Sequence, residues 1–175
     1  MAGMTLVELL IVMVILAVLM SIAVPNFRSL MVRRAASEAA AALSSDYRLA
    51  RSEAIKRTTF VTICRSSDGA TCGAADSWHT GWIVFVDPDQ DRVVDAGEEV
   101  LRVQGALDGI LSLQKSTGVA SDTRPANTFR TSGLSTASAE SLIVTASASV
   151  QHGTRLVCIS NQGRASVRAA GDSAC

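Results

Sequence analysis

Four groups of residues in this 175-residue chain have types and spacings that could do chemistry. Asp87, Asp89, Asp91, Asp95 and Glu98 stand at positions 1, 3, 5, 9 and 12 of a twelve-residue frame. That oxygen-rich spacing is the one with which a loop wraps a hard cation such as calcium. Position 6 of the frame needs glycine for its turn and here holds Arg92, whose charge stands among the would-be ligands, so the sequence favours a solvated acidic turn. Cys64, Cys72, Cys158 and Cys175 make an even set, suited to two disulfides in an oxidising compartment. Zinc is disfavoured, because Cys64 and Cys72 are not a C-x-x-C pair and His79 and His152 are single and far apart. Arg155, Arg164 and Arg168 lie close in sequence, and guanidinium groups pair with phosphate bidentately. The last group is a single carboxylate, Glu8, inside an apolar stretch; an ionisable side chain near lipid costs on the order of 3 kcal/mol and marks a function. No nucleophile elbow, H-E-x-x-H or glycine-rich phosphate loop is present, and no Ser, His, Asp spacing selects a triad, so a non-catalytic protein without cofactor is expected.

The elements that must position these residues follow from periodicity. In the 21 residues from Met4 to Val24 only Thr5, Glu8 and Ser21 are polar. A helix of that length spans roughly 30 Å, a bilayer's hydrocarbon thickness. A cleaved secretory signal, with Ser21-Ile22-Ala23 as its processing site, is opposed by the length of the run, by Glu8 and by the lack of a basic start. An ordinary single-span anchor leaves Glu8 unexplained. Beyond Pro25, Ala39, Leu43, Tyr47, Ala50 and Ala54 recur at helical spacing, with Glu38, Asp46, Arg48, Arg51, Glu53 and Arg57 mostly off that stripe. One helix from about Thr5 to Arg57 is expected, its second half packed on a domain.

Strand patterns then cover Thr59 to Cys64, Trp82 to Val86, Val100 to Val103, Ile110 to Leu113, Leu142 to Thr145, Arg155 to Cys158 and Ala165 to Val167. Turn-rich pieces, Ser66 to Gly73, Pro88 to Gly97 and Ser116 to Asn127, separate them. A helix against an antiparallel sheet is an α+β fold. Balanced charge, 16 Lys and Arg against 16 Asp and Glu, excludes a global positive field, so any nucleic-acid role must be local. With 4% aromatics the core must be largely aliphatic.

Gly3-Met4-Thr5-Leu6-Val7-Glu8-Leu9-Leu10 resembles the class III signal of type IV prepilins and pseudopilins, and Pro25 matches their helix-kinking proline. The resemblance narrows to the FimT/FimU/GspH minor pilins and pseudopilins through residues 50–57 (ARSEAIKR), the Val61-Thr62-Ile63-Cys64 strand, Trp78 ahead of residues 81–87 (GWIVFVD), residues 95–98 (DAGE), the Phe129 to Gly133 region and Gly163-Arg164. It implies a leader (1–3), a transmembrane assembly helix (4–27) and a pilin-like globular domain (28–175) that includes the amphipathic half of the helix. It also implies cleavage after Gly3 by a prepilin peptidase, N-methylation of Met4, and Glu8 as an assembly register.

The implied setting is the bacterial inner membrane with a periplasmic domain, then a filament shared with other pilins. The positive-inside rule, reading Arg28, Arg33 and Arg34 after the span, points the other way; the cysteines and the leader outweigh it. The expected role is a minor pilin at the initiation or tip of a type IV pilus, with a GspH-like pseudopilin of type II secretion, or a DNA-binding minor pilin, as alternatives. For the last, where the family has a Gly-Arg-x-Arg tail motif, this chain reads Gly163-Arg164-Ala165-Ser166-Val167-Arg168, its second arginine displaced by two. On an extended strand Arg164 and Arg168 share a side, about 13 Å apart at roughly 3.3 Å per residue, and Arg155 could join them.

Four cysteines allow three pairings. The expected one joins Cys64 to Cys72, pinning the loop after the first strand, and Cys158 to Cys175, tying the tail to a late strand.

Overall fold

The computed structural model describes residues 5–73, 78–115, 126–137, 139–147, 153–169 and 175. Helix α1 runs Leu6–Arg57. Thr5 caps it, its Oγ1 accepting the Glu8 amide at 3.3 Å. At the far end Thr58 turns left-handed (φ 50°) and its N–H reaches the Ala54 and Ile55 carbonyls, while Lys56 and Arg57 sit at the negative end of the helix dipole.

The helix has two different halves. From Leu6 to Val24 every residue is exposed. From Ala36 onward one face is buried: the expected stripe of Ala39, Leu43, Tyr47, Ala50 and Ala54, widened by Ala36 and Ala40, faces the domain. Small alanines let the helix backbone approach the sheets closely, and Tyr47 fills the gap between them with its ring 6.2 Å edge-on from Phe129 and 6.0 Å from Trp78. Asp46, placed off the stripe by periodicity, is also buried. The reason is a partner: Trp82 Nε1 donates to its Oδ2 at 2.8 Å.

Eight strands follow: β1 Val61–Arg65, β2 Trp82–Val86, β3 Val100–Gln104, β4 Ser112–Lys115, β5 Ala126–Phe129, β6 Glu140–Thr145, β7 Thr154–Ile159 and β8 Ala165–Arg168. All pair antiparallel, as expected for α+β, but in two sheets of four, ordered β3-β2-β1-β5 and β4-β6-β7-β8. Helix α1 packs against both, so Val61 and Ile63 of the first sheet and Leu142, Val144, Val157 and Ile159 of the second share one core. Strand β4 starts two residues later than the apolar pattern suggests, since Ile110 is buried ahead of the strand rather than in it.

Strand β5 is a correction. Its sequence, Ala-Asn-Thr-Phe, overlaps the stretch read as a turn, yet all four residues are buried. Asn127 is a poor strand former, but pairing of β5 with β1 from Ala126 to Phe129 fixes its backbone. Thr128 Oγ1 meets Thr62 Oγ1 at 2.7 Å, so the buried hydroxyls satisfy each other.

Candidate assembly helix and surface sites

The exposed half of α1 is the largest unpaired apolar surface among the described residues. Leu6, Val7, Leu9, Leu10, Ile11, Met13, Val14, Ile15, Leu19, Met20, Ile22 and Phe27 are each more than half exposed. The helix is long and apolar enough to cross a membrane. Glu8 lies exposed in its first turn, where a carboxylate complements the positive end of the helix dipole. Gly3 and Met4 lie outside the described residues. The helix continues through position 25; the side chain of Pro25 is likewise outside the description.

Both expected disulfides are formed, Cys64 with Cys72 and Cys158 with Cys175. The first closes a loop organised by Asp68, which accepts from Ser66 Oγ, the amides of Ala70 and Thr71, and Thr71 Oγ1. Those donors, led by Thr71, hold its carboxyl below the usual carboxylate range. The second brings Cys175 to β6, where its amide reaches Ser141 Oγ at 3.4 Å.

Of the three arginines singled out, the structure brings two together. Arg164 and Arg168 border one groove of about 390 Å³ with Ser160, Ser166 and Cys175. Arg155 does not join them: Arg168 pairs across from Leu156, and side chains alternate along a strand, so Arg155 points to the opposite face of the sheet. Sequence reasoning missed the helix contribution. Arg48 and Arg51, three apart on α1, line a second groove of about 390 Å³ that also contains Arg164. Their i, i+3 spacing was the available signal. Arg48 donates twice to the Ala165 carbonyl, at 3.2 and 2.9 Å, and thereby fixes the start of β8. Gly163 is required here, because at φ +71° a Cβ would stand 2.4 Å from the Gly133 carbonyl oxygen.

The acidic loop between β2 and β3 divides. Asp87, Asp89 and Asp91 bring carboxylate oxygens within 4.8 Å of one another. Asp95 and Glu98 instead close on each other, the Asp95 amide donating to Glu98 Oε2 at 3.0 Å. Burial pushes the Asp87 carboxyl up, and burial with the charges of Asp87, Asp89 and Asp95 does the same to Glu98. His79 is half-buried beside buried Trp78; His152 lies outside the described residues.

A helix bare and apolar in its first half, with its second half laid on antiparallel sheets, defines the pilin class of filament subunit. Residues 39–163 match the family described as Type II transport protein GspH, and residues 1–24 match the prokaryotic N-terminal methylation motif. The chain belongs to this GspH family of minor pilins and pseudopilins, as the resemblance of its motifs implied.

It is 38% identical over 97 residues to the pilin-like protein PilA1 of Thermus thermophilus, covering 55% of each chain, so it spans about half the length of that relative. Its fold is like that of the type IV minor pilin FimU of Pseudomonas aeruginosa (TM-score 0.55, 18% identity, 81% of this chain and 96% of that one). It is also like that of the minor pseudopilin EpsH from the Type 2 Secretion System of Vibrio cholerae (TM-score 0.50, 15% identity, 78% and 98%). At these identities the likeness is one of fold.

Proposed function

We propose that this chain is a non-catalytic minor pilin of a type IV pilus, held in the inner membrane by the apolar half of α1 until it enters the filament at its initiation or tip. The observation that carries the reading is that half-helix: 52 continuous helical residues of which the first part packs on nothing in its own chain. Apolar area of that extent needs a bilayer or neighbouring helices to cover it.

After removal of residues 1–3 by a prepilin peptidase, the methylated amine of Met4, on this or a neighbouring subunit, would pair with Glu8. Glu8 is costly in lipid unless paired, so the pairing selects one register among the bundled helices. The test is Glu8→Ala: the variant should stay membrane-inserted and its incorporation into sheared filaments should fall. Wild-type incorporation would overturn the reading.

Two observations favour other roles for the same subunit. The family description and the fold likeness to EpsH support a pseudopilus of type II secretion. The run of arginines from Arg48 and Arg51 through Arg164 to Arg168 supports binding of DNA backbone phosphates.

A further inference from the structure

We propose that Asp87, Asp89 and Asp91 form a calcium site at the start of the β2–β3 connection, with Asp87 as its buried ligand. Calcium holds oxygen ligands at about 2.3–2.6 Å, so ligands on opposite sides of one ion lie roughly 5 Å apart at most. The three carboxylates are within 4.8 Å of one another, and a single ion reaches them all.

Asp87 is fully buried. Its Oδ2 accepts from Thr62 Oγ1 at 2.5 Å and the Gln90 and Arg92 backbone amides lie against the carboxylate, whereas its Oδ1, equally buried, has no donor in full hydrogen-bond geometry. A buried carboxylate oxygen without a donor is costly, and a cation satisfies it. Asp89 and Asp91 are exposed, which gives the ion a path to the buried ligand.

The charge balance agrees. Residues 87–99 hold six carboxylates and one arginine, Arg92. Among the described residues Arg92 forms no ion pair with Asp87, Asp89 or Asp91, and Arg57 is already engaged with Glu53 and Glu99. The turn-geometry part of the sequence objection to Arg92 also falls away, since Arg92 adopts the left-handed conformation (φ 65°) that the position needs. The site is smaller than the full twelve-residue frame, because the Glu98 carboxylate is taken by the Asp95 backbone amide and the Asp95 carboxylate does not group with the other three. Three carboxylates on an irregular loop, completed by water, suit calcium better than magnesium, which demands near-ideal octahedral geometry. Bound there, the ion would be tied through Asp87 and Thr62 to Thr128, a buried polar row crossing β1 and β5.

The test is calorimetric titration of CaCl₂ and, separately, MgCl₂ into the detergent-solubilised full chain stripped with chelator, with thermal melts in parallel. Wild type should bind one calcium with Kd of about 10⁻⁴–10⁻³ M, the range of extracellular calcium modules, and melt several degrees higher with calcium. Asp89→Asn with Asp91→Asn keeps the Oδ1 acceptors that these side chains offer to the Asp91 and Val93 amides. That variant should lose affinity by about tenfold or more, lose the calcium-dependent shift, and melt in chelator no lower than wild type. Absence of saturable calcium heat at roughly 10 mM would overturn the site. So would unchanged affinity in the double variant, a double variant that melts well below wild type in chelator, or an equal response to magnesium.

Discussion

Asp46 of α1 and Trp82 of β2 are joined across the core: the indole Nε1 donates to Asp46 Oδ2 at 2.8 Å, with both side chains buried. The other carboxylate oxygen, Oδ1, stands 3.5 Å from Arg102 Nε on β3. One helix side chain therefore orients two strands of the first sheet. Asp46→Ala would leave the buried N–H without an acceptor, and a loss of about 1–3 kcal/mol is expected. Asp46→Asn keeps an acceptor and should cost less. Urea unfolding of both variants measures this, and equal losses would assign the effect to the Arg102 pair instead.

Tyr47 supplies a pH dependence. Its phenol is fully buried, 3.5 Å from Glu140 Oε2, and burial first, then the Glu140 charge, pushes its pKa well above that of a free tyrosine. A raised pKa means that the folded state holds the proton after the unfolded state has released it. The contribution is therefore whole below about pH 10, the unfolded value, and is lost as pH rises from there toward the folded value. Tyr47→Phe should cost about 1 kcal/mol near neutrality yet flatten the alkaline fall in stability. Denaturant midpoints across roughly pH 8 to 11 report it; parallel curves for the two proteins would refute the assignment.

The disulfides should act locally. Cys158–Cys175 has a sequence separation of 17, against 8 for Cys64–Cys72. In the chain-entropy model a loop of about 15 residues contributes roughly 3 kcal/mol, and a shorter one less. Cys158→Ser with Cys175→Ser should lower stability by about that amount and speed hydrogen exchange in β6, β7 and β8 more than in α1. Equal acceleration throughout α1 would show that the bridge supports the whole domain.

What the sequence revealed, and what it hid, divides by range of interaction. Helix α1 was legible almost to the residue because its apolar run and the Ala39 to Ala54 stripe are local patterns. Strands β1, β2, β6, β7 and β8 were legible for the same reason, Val61-Thr62-Ile63-Cys64 being a run of apolar and β-branched residues. Strand β5 was not, because it is only four residues long and opens on Ala126 and Asn127, which disfavour strand and take that geometry from pairing with β1. The division into two sheets was hidden likewise, since it depends on which strands become neighbours. Burial of Asp46 follows from a partner 36 residues away, which no helical period encodes. At the surface, Arg164 and Arg168 were found through a tail motif, whereas Arg48 and Arg51 needed the helix to be laid beside Gly163.

That last grouping gives the sharpest test of the DNA reading. Arg164 borders both grooves, linking Arg48 and Arg51 on the helix with Arg168 on β8. Arg155 is equally basic but points to the face opposite Arg168, the one on which α1 packs, and lines neither groove, which makes it an internal control. Contacts from a few arginines to phosphate are weak, insensitive to sequence and steeply salt-dependent, each contributing close to one unit of slope in a logarithmic salt plot. The detergent-solubilised chain should retard duplex DNA at low salt, and Arg164→Ala with Arg168→Ala should weaken binding for every sequence and reduce the salt slope by about two. Arg155→Ala should leave both unchanged. Arg48 would be a poor choice for this comparison, because its guanidinium holds the Ala165 carbonyl and its loss would disturb β8 itself. If wild type fails to retard DNA even at low salt, or the double variant binds as well as wild type, these arginines serve the solubility of an edge strand and the subunit acts through filament assembly alone.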